Sequence, residues 1–188
     1  NPLELTNMYR AFVFDIFGVL HDGHKAYPLT QEWLLNLYNE HKKVAFLSNS
    51  PLLPIQVEKR LVSYGIENNL HQDFVTAGSE ARLFLEELSP GTRCFFIGDA
   101  DMAAALIPGS MMRTNTLEES QIVILGGPDP NYDDLSIYDP LLKQAIDLFL
   151  PVLCANADMY VYESKILKWR AGALAQRYEE MGGQVSYY

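Results

Sequence analysis

Apolar positions along the chain fall into short runs broken by glycine, proline and polar clusters, and the runs alternate between two periods. Ala11 to Phe17 is almost continuously apolar, is interrupted by Asp15 and closes at Gly18. It predicts a buried strand with an acid near its carboxyl end. Residues 29–41 carry Trp33, Leu34, Leu37 and Tyr38 at helical spacing, with Thr30 in place to cap the helix. Val44 to Leu47 predicts a second buried strand, stopping at Ser48, Asn49, Ser50 and Pro51. Pro54 suits the first turn of a helix that Gly65 ends. Strand, helix, strand, helix within 65 residues argues for a parallel sheet with right-handed crossovers.

The remainder repeats the theme. Helices are predicted over 79–88 with Ser79 as N-cap, 102–107, 140–150 and 170–181. Strands are predicted over 94–97, 121–125, 152–155 and 184–188. Leu141, Leu142, Ala145, Ile146 and Phe149 form the apolar face of the 140–150 helix. Gly126, Gly127 and Pro128 mark a loop, and Tyr132, Asp133 and Asp134 read as an exposed turn. Tyr160, Tyr162 and Trp169 read as core or interface. The weakest connection lies around residues 66–78, where a domain boundary is expected.

Charge narrows the function classes. Lys plus Arg total 14 against 24 Asp plus Glu in 188 residues, a net charge of −10. A chain that is 48% apolar and 20% charged is not disordered. Nucleic acid and anionic membrane are disfavoured as partners, since both select basic surfaces. An anionic substrate would need a locally positive pocket or a metal. The two cysteines, Cys94 and Cys154, sit in apolar runs and read as buried free thiols of a reducing compartment. No apolar run reaches the roughly 18 residues of a membrane span. No basic segment leading into an apolar one marks a signal peptide, so a cytoplasmic location is expected. The four histidines show no metal-ligand spacing.

Open α/β sheets bind ligands outside the carboxyl ends of their strands. Two such ends are polar here, Asp15 and the Ser48–Asn49–Ser50 segment. A carboxylate in that position can act as a nucleophile or hold a divalent cation.

The run Phe14-Asp15-Ile16-Phe17-Gly18-Val19-Leu20, followed by Phe46-Leu47-Ser48-Asn49-Ser50, resembles the first two motifs of the haloacid dehalogenase (HAD) superfamily of hydrolases. The 32 residues between Asp15 and Ser48 leave no room for an inserted domain there. The long α/β stretch after Ser48 is similar to the cap of the N-acetylglucosamine-type and 4-nitrophenyl-type phosphatases. Further marks are Val75 to Ser79, Phe96 to Asp99, Ala155 to Asp158 and Gly183 to Tyr188. The resemblance implies an α/β fold, a Rossmann-like parallel core present in part, with an inserted α/β cap domain. It implies residues 1–77 as the N-terminal half of the core, 78–183 as the cap and 184–188 as a strand returning to the core.

The resemblance also implies chemistry. Asp15 would attack a phosphoryl group and form an aspartyl-phosphate. Mg²⁺ would sit on Asp15 and the backbone carbonyl of Phe17, and Ser48 would hydrogen-bond the phosphoryl oxygens. Asn49 and Gly18 would add contacts, and Asn156 and Asp158 would meet substrate from the cap. The substrate would be a small phosphorylated metabolite, and a homodimer is one expected assembly.

Two departures qualify this. Phe17 stands where the family carries a second Asp, the acid/base that protonates the leaving group and activates water. Loss of such a group costs about 10² to 10⁴ in rate. Asp22, His21 or His24 could substitute for it. The family's third motif, a Lys in Gly-Lys-Pro, follows a strand like 185–188, where the given sequence stops. No Lys lies between Lys59 and Lys143 to stand in for it. Gly98-Asp99-Ala100-Asp101 mimics the fourth motif, but without that Lys it reads as acids at a helix start. The expectation is therefore a core that is incomplete in this chain, with impaired or absent turnover. The alternatives are a HAD-fold binding protein that has lost the chemistry, or a metal-independent dehalogenase, since a halide leaving group needs no proton.

Overall fold

A computed structural model describes residues 2–163 and 166–188, and the chain divides into two compact units. The first comprises residues 1–48 and 54–76, the second residues 49–53 and 77–188. The short segment 49–53 thus belongs to the second unit although the first flanks it on both sides.

The first unit runs α1 (Pro2–Met8), β1 (Ala11–Phe14), α2 (Thr30–Asn39), β2 (Lys43–Ser48), α3 (Pro54–Ser63) and β3 (Asp73–Thr76). Its sheet has the order β1-β2-β3 and is parallel throughout. Phe14, Val44 and Phe46 on one face are buried, as are Leu34 and Leu37 of α2 and Val57 and Leu61 of α3. The other face is open: Val13 is 67% exposed, Leu47 53% and Val75 38%. The sequence predicts strands buried throughout; in the described structure only alternate residues of β1 and β2 are buried, because side chains alternate across a strand.

The second unit runs α4 (Ala77–Glu86), β4 (Arg93–Ile97), α5 (Ala100–Leu106), β5 (Met112–Arg113), β6 (Ile122–Leu125), α6 (Asp139–Asp147), β7 (Val152–Cys154), β8 (Tyr160–Glu163), β9 (Ile166–Trp169), α7 (Ala171–Glu180) and β10 (Val185–Tyr187). Five of these strands form a parallel sheet in the order β10-β7-β6-β4-β5. All four residues of β6 are buried, as a strand covered on both faces requires. One core cluster joins Val123, Leu125 and Val152 to Leu142 of α6 and Leu174 of α7. The other joins Phe96, Ile122 and Ile124 to Leu85 of α4 and Leu106 of α5. Cys154 lies in the first cluster and Cys94 in the second, and both are buried free thiols.

Several expectations shift. The strand expected to return to the core, β10, instead pairs parallel with β7 at the edge of the second sheet. Alternating apolar residues announce a strand but do not choose its partner. Tyr188 N–H donating to the Cys154 carbonyl extends that pairing beyond the strand. Of the cluster expected in a core or an interface, Tyr160 and Tyr162 are exposed on β8, which pairs antiparallel with β9. Trp169 is anchored by its indole N–H donating to the Asp133 carbonyl. The 132–134 turn is exposed as expected, with Asp134 capping a single turn of 3-10 helix over Leu135–Tyr138. No helix among the described residues is long and apolar enough to cross a membrane.

Candidate functional site

Parallel pairing of β1 with β2 brings their carboxyl ends to one edge of the first sheet. Phe14 is level with Phe46, so Asp15 follows one residue beyond the end of β1, and Ser48 is the last residue of β2. Asp15 is exposed, and its Oδ1 accepts from the Ile16 amide at 2.7 Å. Ser48 is buried and level with Thr76, the last residue of β3, which is fully buried. Thr76, within the Val75 to Ser79 mark but not expected as a site residue, is a hydroxyl at the same edge.

After Asp15 the chain turns tightly. The Leu20 amide donates to the Ile16 carbonyl, and the Gly18 amide donates to the His21 carbonyl. Gly18 has φ +81°, a region that favours glycine, so its place is set by the turn. The Phe17 ring does not face solvent freely: it meets the His21 ring edge-on at 5.6 Å, and His21 packs at 4.8 Å from Tyr64. The Tyr64 hydroxyl donates to the Gly23 carbonyl at 2.8 Å, closing this cluster.

Two of the expected substitutes for the missing acid, His21 and Asp22, are engaged by nearby backbone amides. His21 Nδ1 accepts from the Gly23 amide at 2.8 Å, which leaves Nδ1 unprotonated. Burial pushes the His21 imidazolium towards deprotonation, a shift only partly opposed by the charge of Asp22. Asp22 Oδ1 accepts from both the His24 and Lys25 amides at 2.9 Å. Those backbone bonds hold its carboxyl below the usual carboxylate range. Asp22 thus caps the turn that follows it.

Asn156 and Asp158, assigned to the cap, lie in the second unit together with Asn49, which was assigned to the core. Asn49 Nδ2 donates to Asp158 Oδ1 at 2.9 Å. The Asp158 amide in turn donates to Asn156 Oδ1 at 2.7 Å, and Asn156 is 4% exposed. Cys154 Sγ donates to the Asn156 carbonyl. Asp99 caps α5 by accepting from the Met102 amide, and Asp101 lies in the first turn, as helix-start acids do.

Among the described residues no three His, Cys, Asp or Glu side chains group closely enough to hold a metal ion. The first unit offers the Asp15 carboxylate and the Phe17 carbonyl. Both are oxygen donors of the kind Mg²⁺ takes, alongside waters and phosphate oxygens.

The family model of haloacid dehalogenase-like hydrolases matches residues 12–107, just over half of the chain, including Asp15, Phe17 and Ser48. The chain belongs to this family. No curated protein matches it. A HAD-like hydrolase from Brucella suis is 27% identical with a TM-score of 0.88, covering 99% of this chain and 70% of that one. A glycerol phosphate phosphatase from Mycobacterium tuberculosis, solved in complex with magnesium, is 19% identical with a TM-score of 0.70, covering 97% and 55%. A 4-nitrophenylphosphatase from Thermotoga maritima is 18% identical with a TM-score of 0.71, covering 98% and 70%. The chain thus spans 55% to 70% of the length of these structures. The last two, at such low identity, show the fold alone: a HAD-type α/β architecture with parallel sheets.

Proposed function

We propose that this HAD-family chain carries the nucleophile side of a phosphatase for a small phosphorylated metabolite. The observation that carries the reading is the shared edge: parallel pairing sets Asp15 and Ser48 at the carboxyl ends of adjacent strands, inside the segment matched by the family model. In the reaction a carboxylate oxygen of Asp15 attacks phosphorus and the bond to the ester oxygen breaks. The leaving oxygen must then gain a proton, and water later cleaves the aspartyl-phosphate. Ser48 donates a hydrogen bond to a phosphoryl oxygen, and the backbone amides of Phe17 and Asn49 add donors. Phosphoryl transfer depends chiefly on such positioning and charge neutralisation. Mg²⁺, held by the Asp15 carboxylate and the Phe17 carbonyl when bound, would neutralise charge on the phosphoryl group. The magnesium complex of the M. tuberculosis phosphatase supports divalent metal use by this fold.

Phe17 provides no acid/base, and its ring is committed to His21. Turnover of 4-nitrophenyl phosphate with Mg²⁺ is therefore expected to be slow. Phe17→Asp should raise it by about 10² to 10⁴, the usual worth of a general acid/base. Asp15→Asn should remove what activity there is. A rate untouched by Asp15→Asn overturns the reading. A second reading, a HAD-fold binding protein, is supported by the packing of Phe17 against His21.

A further inference from the structure

We propose that Asn49 and Asp158 are a positioning pair that locks the loop leaving Ser48, rather than two substrate contacts. The proposal rests on the reading of Ser48 as a phosphoryl contact.

The loop 49–53 departs from Ser48 yet belongs to the second unit. It is fastened there at two points. At its start, the Asn49 amide group donates to the Asp158 carboxylate. Further along, the Gly78 amide of α4 donates to the Ser50 carbonyl at 3.0 Å. Approach at that point is so close that a Cβ on Gly78 would lie 2.1 Å from the Pro51 carbonyl oxygen. Asp158 is held as firmly from its own side. Its amide is bonded to the buried Asn156, and its carbonyl accepts from the Gly172 amide of α7 at 3.1 Å. A Cβ on Gly172 would lie 2.3 Å from the Ala157 oxygen and 2.6 Å from that of Asp158.

Gly78 and Gly172 each stand second in a helix, and each admits a loop carbonyl into the helix's first turn. The same architecture thus clamps two loops, and the side-chain bond between Asn49 and Asp158 joins them. A carboxylate already accepting from Asn49, whose backbone is bonded at both N–H and C=O, is built as a strut. Because Asn49 follows Ser48 directly, the bond fixes the peptide through which Ser48 leaves β2. Misplacement of a reacting geometry by about 1 Å can cost about 10² in rate.

Two readouts on the full chain test this. Hydrogen exchange at the amides of residues 49, 50, 52 and 53 reports the lock without any activity. Affinity for orthovanadate with Mg²⁺, a mimic of the transferring phosphoryl group, reports the site. Asp158→Ala should speed exchange at 49–53 and weaken vanadate binding at least tenfold. Asp158→Asn, which keeps an acceptor oxygen, should restore both. Asn49→Ala, at an exposed position, should reproduce Asp158→Ala and guards against misfolding of a single variant. Unchanged exchange in Asp158→Ala overturns the lock. Faster exchange with native vanadate affinity overturns the positioning role. Weak binding by Asp158→Asn with native exchange overturns it too, in favour of direct ligand contact. Asp15→Asn separates the underlying reading: it should abolish vanadate binding and leave exchange at 49–53 unchanged. Vanadate binding indifferent to Asp15→Asn overturns that reading, and the positioning role with it, while the exchange result still reports on the lock itself.

Discussion

Burial in the second unit raises the Cys154 thiol to about 11, well above its ordinary 9.0, with the Asn156 carbonyl bond and the Glu179 charge as lesser influences. Cys94, on the opposite face of the same sheet, is raised for the same reason. A folded-state thiol harder to ionise than its unfolded counterpart favours folding while both stay protonated. That contribution is complete below the ordinary value of 9.0 and is lost as pH climbs towards about 11, since the unfolded chain then sheds protons the folded one retains. The native chain at pH 8 should therefore leave both thiols unreactive towards a disulfide reagent, and labelling of two thiols should appear only on unfolding. Urea titrations should show stability declining above pH 9, less so in Cys154→Ala after correction for its lost packing. Rapid labelling of the native chain would contradict this burial. The buried thiols were legible in the apolar runs around each cysteine. The cluster of Phe17, His21 and Tyr64 was not, because Tyr64 lies 43 positions from His21 and only the return of α3 brings them together.

Elements show where local rules end. The sequence places the start of one helix at Ser79, a good capping residue, but α4 begins at Ala77. Its first-turn Gly78 amide is satisfied by the Ser50 carbonyl, an acceptor 28 positions away. Likewise α7 has no side-chain cap, and its Gly172 amide finds the Asp158 carbonyl. Capping rules look only at neighbours, so a helix capped by a distant loop escapes them. Thr30 behaves similarly: its hydroxyl donates to the Leu20 carbonyl instead of capping α2. Gly172→Ala should cost about 1–3 kcal/mol, the usual penalty of forcing extra atoms into a packed site. The Cβ would meet backbone oxygens that cannot swing away, at 2.3 Å and 2.6 Å. Urea denaturation followed by circular dichroism measures it, and a variant as stable as the wild type would refute the close approach.

For the molecule as a whole, the asymmetry between the two sheets matters most. The second has helices on both faces; the first leaves Val13, Leu47 and Val75 open to solvent on one side. Contiguous exposed apolar surface is uncommon and binds apolar probes. The native chain should accordingly enhance the fluorescence of an anilinonaphthalene dye, and Leu47→Asn should reduce that signal without altering the circular dichroism spectrum. A native chain that leaves the dye dark would show the face to be covered. The net charge of −10 works in the other direction, opposing self-association of that surface.

Hydrophobic period, breaker residues and two short motifs were enough to determine α2 to α7, the strands β1, β2, β4, β6, β7 and β10, the parallel α/β class and the candidacy of Asp15 and Ser48, but not α1, β3, β5, β8 or β9. They sufficed because those features depend on neighbouring residues along the chain. The tertiary structure alone decided that β10 joins β7, that the 49–53 loop belongs with the second unit, that Asn49 and Asp158 bond to each other, and that Asp22 caps a turn. Each of these depends on which distant backbone group supplies a hydrogen-bond partner, and such partners are chosen by packing in three dimensions.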